Sequence, residues 1–251
     1  VDACQFRISN ATLQAYLAQG FMVGMTGSKF ISGPSFSGAL LIPKELAKKF
    51  RAESELDKLL TYSTRADWPV NWSAANCLDR VPNFGLLLRW EGAIKELRAF
   101  RSLSNIVVMQ FLNAFSTAIK QRMSNDPIFE MLPVQELNRS PLDVTSCWDS
   151  IQTIFPFLLF RCTSEGSKKL LSSEKMLQVY RELQIDKNDQ VQLAQPVDCG
   201  RRDGVAVSAL RMCVSSRLIV EAMHQNGNNQ QLIIGRAIGA LDKVAGIVAA
   251  M

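Results

Sequence analysis

Phe21-Met22-Val23-Gly24-Met25-Thr26-Gly27-Ser28-Lys29-Phe30-Ile31-Ser32-Gly33-Pro34 passes from a compact apolar run into a loop of hydroxyls, glycines and one lysine. The run from Phe21 to Thr26 predicts a buried strand, because it is short, apolar and bounded by turn residues. Gly27, Gly33 and Pro34 punctuate the loop, and Gly38-Ala39-Leu40-Leu41-Ile42 predicts a second strand stopped by Pro43. Pro43 suits the first turn of a helix that runs to about Phe50, where its missing N–H costs nothing. Upstream, Thr12 to Gln19 predicts a short helix capped by Asn10 or Thr12 and ended by Gly20.

Lys29 is the candidate for covalent chemistry. An amine that condenses with an aldehyde must shed its proton part of the time, and burial beside positive charge favours that. Hydroxyls and backbone N–H groups beside it suit a phosphate. A glycine- and hydroxyl-rich loop with one lysine is also what a solvated turn looks like. The chain's beginning sharpens the choice. Val1-Asp2-Ala3-Cys4-Gln5 reads like the end of a buried strand with an acid just after it. Asp2 could cap a loop or pair with a surface base. Alternatively, it could bond a protonated pyridine nitrogen, which keeps such a ring an electron sink. Because the chain opens in this way, we expect a further N-terminal portion upstream.

Asp2-Ala3-Cys4-Gln5, Thr26-Gly27-Ser28-Lys29, Gly33-Pro34 and Gly38-Ala39-Leu40 together resemble the large domain of class V aminotransferases and cysteine desulfurases. That family has the type I fold of pyridoxal 5′-phosphate (PLP) enzymes. The resemblance implies that Lys29 joins the cofactor aldehyde, Asp2 meets the pyridinium, Gln5 meets the phenolic oxygen, and Thr26 and Ser28 hold the phosphate. Ser28 departs from the family's histidine. Arg80-Val81-Pro82-Asn83 resembles the segment that reaches the partner subunit's cofactor phosphate; Val81 lacks the hydroxyl, so Asn83 alone keeps a polar role, and it serves equally as a helix N-cap. Ala209-Leu210-Arg211-Met212-Cys213 resembles the strand whose arginine clamps the substrate carboxylate, a task the guanidinium fork matches; Arg211 could also be an ordinary salt-bridge arginine. Leu193-Ala194-Gln195-Pro196 is similar to a desulfurase loop but has Leu193 where the thiol would be, with Cys199 off register, which argues against desulfuration. The ring-stacking residue and the first phosphate loop would lie upstream of Val1.

Beyond the loop, residues 51 to 82 predict a long connection with at most short elements. Apolar residues at helical spacing (Leu87, Trp90, Ile94, Leu97, then Ile106, Met109, Leu112, Phe115, Ile119, Met123) predict one long helix, or two broken near Ser102 to Ser104. The remainder predicts strands at Ile128 to Val134, Ile151 to Phe160, Val191 to Ala194 and Ala209 to Val214, and helices at Ser172 to Leu183, Ser216 to Gln225 and Gln230 to Met251. A turn is expected at Asn226 to Asn229. Cys147 and Cys162 flank a predicted core strand and read as packing residues. The expected fold is therefore α/β, with residues 1–100 as the C-terminal part of a type I PLP large domain and its connecting segment. Residues 101–251 form the linking helix and a small α+β domain.

Composition narrows the function classes. The chain has 251 residues, 47% hydrophobic and 20% charged, which allows a sizeable core. Its net charge of +5 is spread in short pairs such as Lys48-Lys49 and Arg201-Arg202 rather than dense tracts, so a nucleic-acid partner is not expected. Six cysteines without a CxxC pair and a single histidine, His224, give no metal site and no Ser-His triad. They fit free thiols in a reducing, cytoplasmic compartment. No apolar run reaches the roughly 20 residues of a membrane span. The leading expectation is a PLP-dependent aminotransferase or lyase acting on an amino acid or related amine, homodimeric at full length. The alternatives are a catalytically inactive PLP-fold binding or structural protein, and an unrelated α/β interaction module.

Overall fold

In a computed structural model the chain is described at residues 1–53, 58, 61–136, 138–142, 144–145, 147–162, 167–185, 191–224 and 229–251. It is a mixed α/β protein that divides into two units, Val1–Ser102 with Asn138–Asp149, and Leu103–Leu137 with Ser150–Met251. The division by sequence at 100/101 gave everything from residue 101 onward to the second part. The chain instead returns to the first unit for residues 138–149.

In the first unit, β1 (Asp2–Ala3) runs parallel to β2 (Val23–Thr26), with Asp2 opposite Gly24 and Ala3 opposite Met25. β3 (Gly38–Leu41) returns antiparallel on the other side of β2. The crossover between β1 and β2 contains α1 (Asn10–Ala18). Its cap is Ser9 rather than Asn10 or Thr12, because the Ser9 hydroxyl accepts the Thr12 N–H at 3.1 Å. Gly20 ends the crossover helix with φ +85°, a conformation that a side chain resists. α2 (Lys44–Glu53) follows Pro43, and the connection after it makes 3-10 turns at Arg65–Asp67 and Ser73–Cys77. Trp72, Ala75 and Leu78 form a small core there against Ile42, Ala47 and Phe50. α3 (Phe84–Arg101) buries Ala93 and Phe100, but Phe84, Leu87 and Leu88 are exposed, so its helical periodicity overstated the buried face.

The second unit starts with α4 (Asn105–Ser124), capped by the Ser104 hydroxyl on the Val107 N–H, which is why the long apolar pattern breaks in two. Its sheet is antiparallel in the order β4 (Phe129–Met131), β5 (Ile154–Cys162), β8 (Val205–Cys213), β7 (Ala194–Arg202), with β6 (Lys168–Leu170) also on β5. Phe155 lies opposite Met212 and Phe157 opposite Leu210, all buried on one face; Phe155 also touches Phe115 of α4. α5 (Ser173–Glu182) is capped by Ser172, and α6 (Ser216–Met223) by Ser215. α7 (Gln230–Ala249) follows; of the turn predicted before it, Asn226 to Asn228 lie outside the described residues. Two expectations are corrected. The strand expected at Val191 to Ala194 begins only at Ala194 and runs to Arg202, forming a hairpin with β8 through Asp203-Gly204, both at positive φ. Cys162 is exposed at the end of β5 and is not a packing residue.

Candidate functional site

Two adjacent parallel strands end side by side, and their carboxyl ends carry most of the candidate residues. The register that sets Ala3 opposite Met25 puts Cys4 beside Thr26, and the Thr26 hydroxyl donates to the Cys4 carbonyl at 2.9 Å. Open α/β sheets bind ligands at this end of parallel strands. Ser28 Oγ donates to Thr26 Oγ1 at 3.4 Å, and the Phe30 N–H donates to the Gln5 carbonyl at 3.2 Å, so the loop from Gly27 to Pro34 lies against residues 4 and 5. Asp2, Gln5 and Lys29 are exposed, and Thr26 and Ser28 are half-exposed.

The acid and the amine act on one shared atom. Cys4, through its thiol and then its N–H at 2.9 Å, holds the Asp2 carboxyl below the ordinary aspartate range. In return the Asp2 carboxylate pushes the Cys4 thiol up, while the charge of Lys29 pulls that same thiol down. Asp2 is thus an ionised acid, as a pyridinium partner must be. Burial of Lys29, expected from its role as an amine nucleophile, is absent: its side chain is exposed and makes no hydrogen bond or ion pair with the described residues.

The loop itself is held closely. A Cβ on Gly27 would stand 2.4 Å from Cβ of Ala93, and one on Gly33 would stand 2.7 Å from Ala93 Cα, so α3 admits only glycine at both positions. The Gly27 N–H donates to Ser37 O and the Gly33 N–H to Gly27 O. Phe30, next to Lys29, is fully buried between Trp148 and Arg7. Trp148 comes from the segment that returns to this unit. In it, Asp149 accepts the Ser9 N–H at 2.7 Å and pairs with Arg139 at 3.1 Å. Burial pushes the Asp149 carboxyl up, but the Ser9 N–H, the Cys147 thiol, the Thr12 hydroxyl and the Arg139 charge outweigh it, and the acid stays ionised. Nothing local in the sequence pointed to this segment. An acid beside a tryptophan in a polar stretch was its only signal.

The remaining candidates are placed as follows. Asn83 caps α3 by accepting the Leu86 N–H at 3.0 Å, and its amide donates to Asp67 at 2.9 Å, so both ends of the side chain are in use. Arg211 belongs to the second unit, on the middle strand β8 opposite Pro156 of β5 and Ala194 of β7. It donates to Gln195 O at 3.1 Å, while its Nε is buried and unbonded among the described residues. That leaves guanidinium donors for an anion. Leu193 is buried, and Cys199 is exposed with its thiol turned to Val197 O.

No known family profile matches this chain, and no curated protein does. The residues present fit a phosphorylated pyridine aldehyde in kind: an unencumbered amine, an ionised carboxylate, two hydroxyls and a glycine-lined loop at one strand end.

Proposed function

We propose that this chain carries the lysine-bearing part of a PLP-dependent enzyme of aminotransferase or lyase type, acting on an amino acid or related amine. One observation supports the reading: β1 and β2 run parallel, and the Thr26 hydroxyl bonds the Cys4 carbonyl, so the segment with Asp2 and Gln5 runs beside the one that leads into Ser28 and Lys29. Bound there, PLP supplies an electron sink for bonds at the substrate's Cα. Lys29 offers the amine that joins the aldehyde. Asp2 keeps a proton on the pyridine nitrogen, Gln5 donates to the phenolic oxygen, and Thr26 and Ser28 exchange their present bonds to Cys4 O and Thr26 Oγ1 for the phosphate. Within the same reading the full-length protein is a cytoplasmic homodimer without nucleic-acid or membrane partners. Among the described residues no helix is long and apolar enough to cross a membrane.

Borohydride reduction of the full-length protein with PLP, followed by peptide mapping, tests the proposal. Label at Lys29 is expected. Label at another lysine, or at none, ends the reading. Label at Lys29 without turnover on a panel of amino acids and amines would instead favour a binding protein that has lost catalysis.

A further inference from the structure

Lys29 has an exposed side chain that nothing among the described residues holds, so where its amine can reach is set by where its Cα stands. The backbone around it is tied: Phe30 N–H to Gln5 O, Ser32 N–H to Lys29 O, Gly33 N–H to Gly27 O. It is also strained, since Ser32 sits at φ +61°, a left-handed conformation that persists in a non-glycine residue only where the surroundings enforce it. The enforcing contacts fall on Phe30. Its ring stacks on Trp148 at 5.2 Å and 12°, meets the edge of Phe100 at 5.3 Å, and carries the Arg7 guanidinium carbon 4.9 Å from its centroid. Trp148 is in turn fixed by the edge of Phe100 at 5.1 Å and by its neighbour Asp149, bound to Ser9 and Arg139.

We propose that Trp148, held by Phe100 and by Asp149 with its partner Arg139, forms a clamp that acts through Phe30 to position Lys29 for condensation with PLP. This inference rests on the functional reading above and adds to it a positioning residue far along the chain. In the condensation, neutral Nζ of Lys29 adds to the aldehyde carbon and water leaves; borohydride then delivers hydride to the resulting C=N bond. A clamp of this kind sets the approach of the amine and does not touch Thr26 or Ser28, the residues proposed for the phosphate. The rate of condensation at saturating PLP therefore depends on it more than PLP affinity does.

The test compares the full-length protein with its Trp148→Ala, Trp148→Phe and Phe30→Leu variants. Two quantities are read: the first-order rate and half-saturating concentration for PLP condensation at Lys29, and amide exchange across residues 27–33. Trp148→Ala and Phe30→Leu are expected to slow condensation about tenfold, with half-saturation changed less than about twofold, and to speed exchange in the loop. Trp148→Phe restores both. A folded Trp148→Ala or Phe30→Leu protein that condenses at the wild-type rate overturns the proposal, as does loss of rate and affinity in equal proportion. Should Trp148→Ala fail to fold, Phe30→Leu, which keeps an apolar side chain in the site, decides alone. Wild-type protein without label at Lys29 removes the functional reading and this inference with it, whereas label that the variants leave unmoved removes only the inference.

Discussion

Two parts of the first unit lie next to each other and follow opposite rules. At the strand ends, Asp2, Gln5 and Lys29 are exposed and hold donors and acceptors in reserve. Beneath them Phe30, Phe100, Trp148 and Asp149 are buried, and the polar group among them is bonded on several sides. On the proposed function the first set must be able to exchange partners, and the second set must not. It follows that substitutions in the first set should alter chemistry while leaving stability alone, and substitutions in the second should do the reverse or act on chemistry only through position.

The largest effect breaks the comparison most directly. Lys29→Ala in the full-length protein is expected to abolish PLP attachment and turnover, with unfolding free energy changed by no more than about 0.5 kcal/mol, as for other exposed sites. Absorbance of the bound cofactor and denaturant unfolding read the two quantities. A Lys29→Ala protein that still traps PLP at the same peptide, or that unfolds far more easily, would erase the contrast between the two sets.

Asp149 is the mirror case. Asp149→Ala removes a buried carboxylate, leaving the Ser9 N–H without its acceptor and Arg139 with only the backbone carbonyl of residue 149, and should cost about 3 kcal/mol. The pH dependence has a definite sign. The carboxyl of folded Asp149 sits below its ordinary value, so its contribution is fully present above the unfolded value, about pH 4, and is lost as pH falls through the folded value. Acid unfolding of wild type should therefore steepen below about pH 4, and the Asp149→Ala curve should be flatter there. Equal slopes would mean that the acid gains nothing from its surroundings.

The same contrast explains what could be read in the sequence. β2, β3 and the break between α3 and α4 were legible because local chemistry decides them: Gly and Pro after an apolar run, and a serine cap at Ser104. The candidates Asp2, Gln5, Thr26, Ser28 and Lys29 came from residue types and spacing alone; the parallel register that sets Cys4 beside Thr26 is what the fold adds. β7 was not legible, since an exposed strand containing Pro196 and Gly200 shows no alternating apolar face. The clamp was not, because Trp148 meets Phe30 only through tertiary packing, which no local period encodes. On α3 the pattern was present, yet Phe84, Leu87 and Leu88 turned out exposed, since periodicity marks an apolar stripe without saying how much of it finds a cover.

A smaller effect tests how closely the loop sits on α3. Gly27→Ala would drive a Cβ to 2.4 Å from Cβ of Ala93 and should destabilise by about 1–3 kcal/mol. Adding Ala93→Gly removes that clash at the expense of a helical glycine. The double variant should then recover at least about 0.5 kcal/mol beyond additivity. Strict additivity in thermal unfolding would show that the loop yields elsewhere.

The smallest effect separates the two roles open to Asn83. A carboxamide that accepts the Leu86 N–H and donates to Asp67 has neither end left for a phosphate without releasing one of them. Asn83→Ala should therefore cost about 1 kcal/mol, the usual value of an N-cap, and leave the half-saturating PLP concentration unchanged. Asn83→Ser, a competent cap with a shorter reach, should restore most of that stability. If instead Asn83→Ala weakens PLP binding about tenfold and leaves unfolding as it was, Asn83 belongs with the reactive, partner-exchanging set, and its two hydrogen bonds are what it gives up on binding.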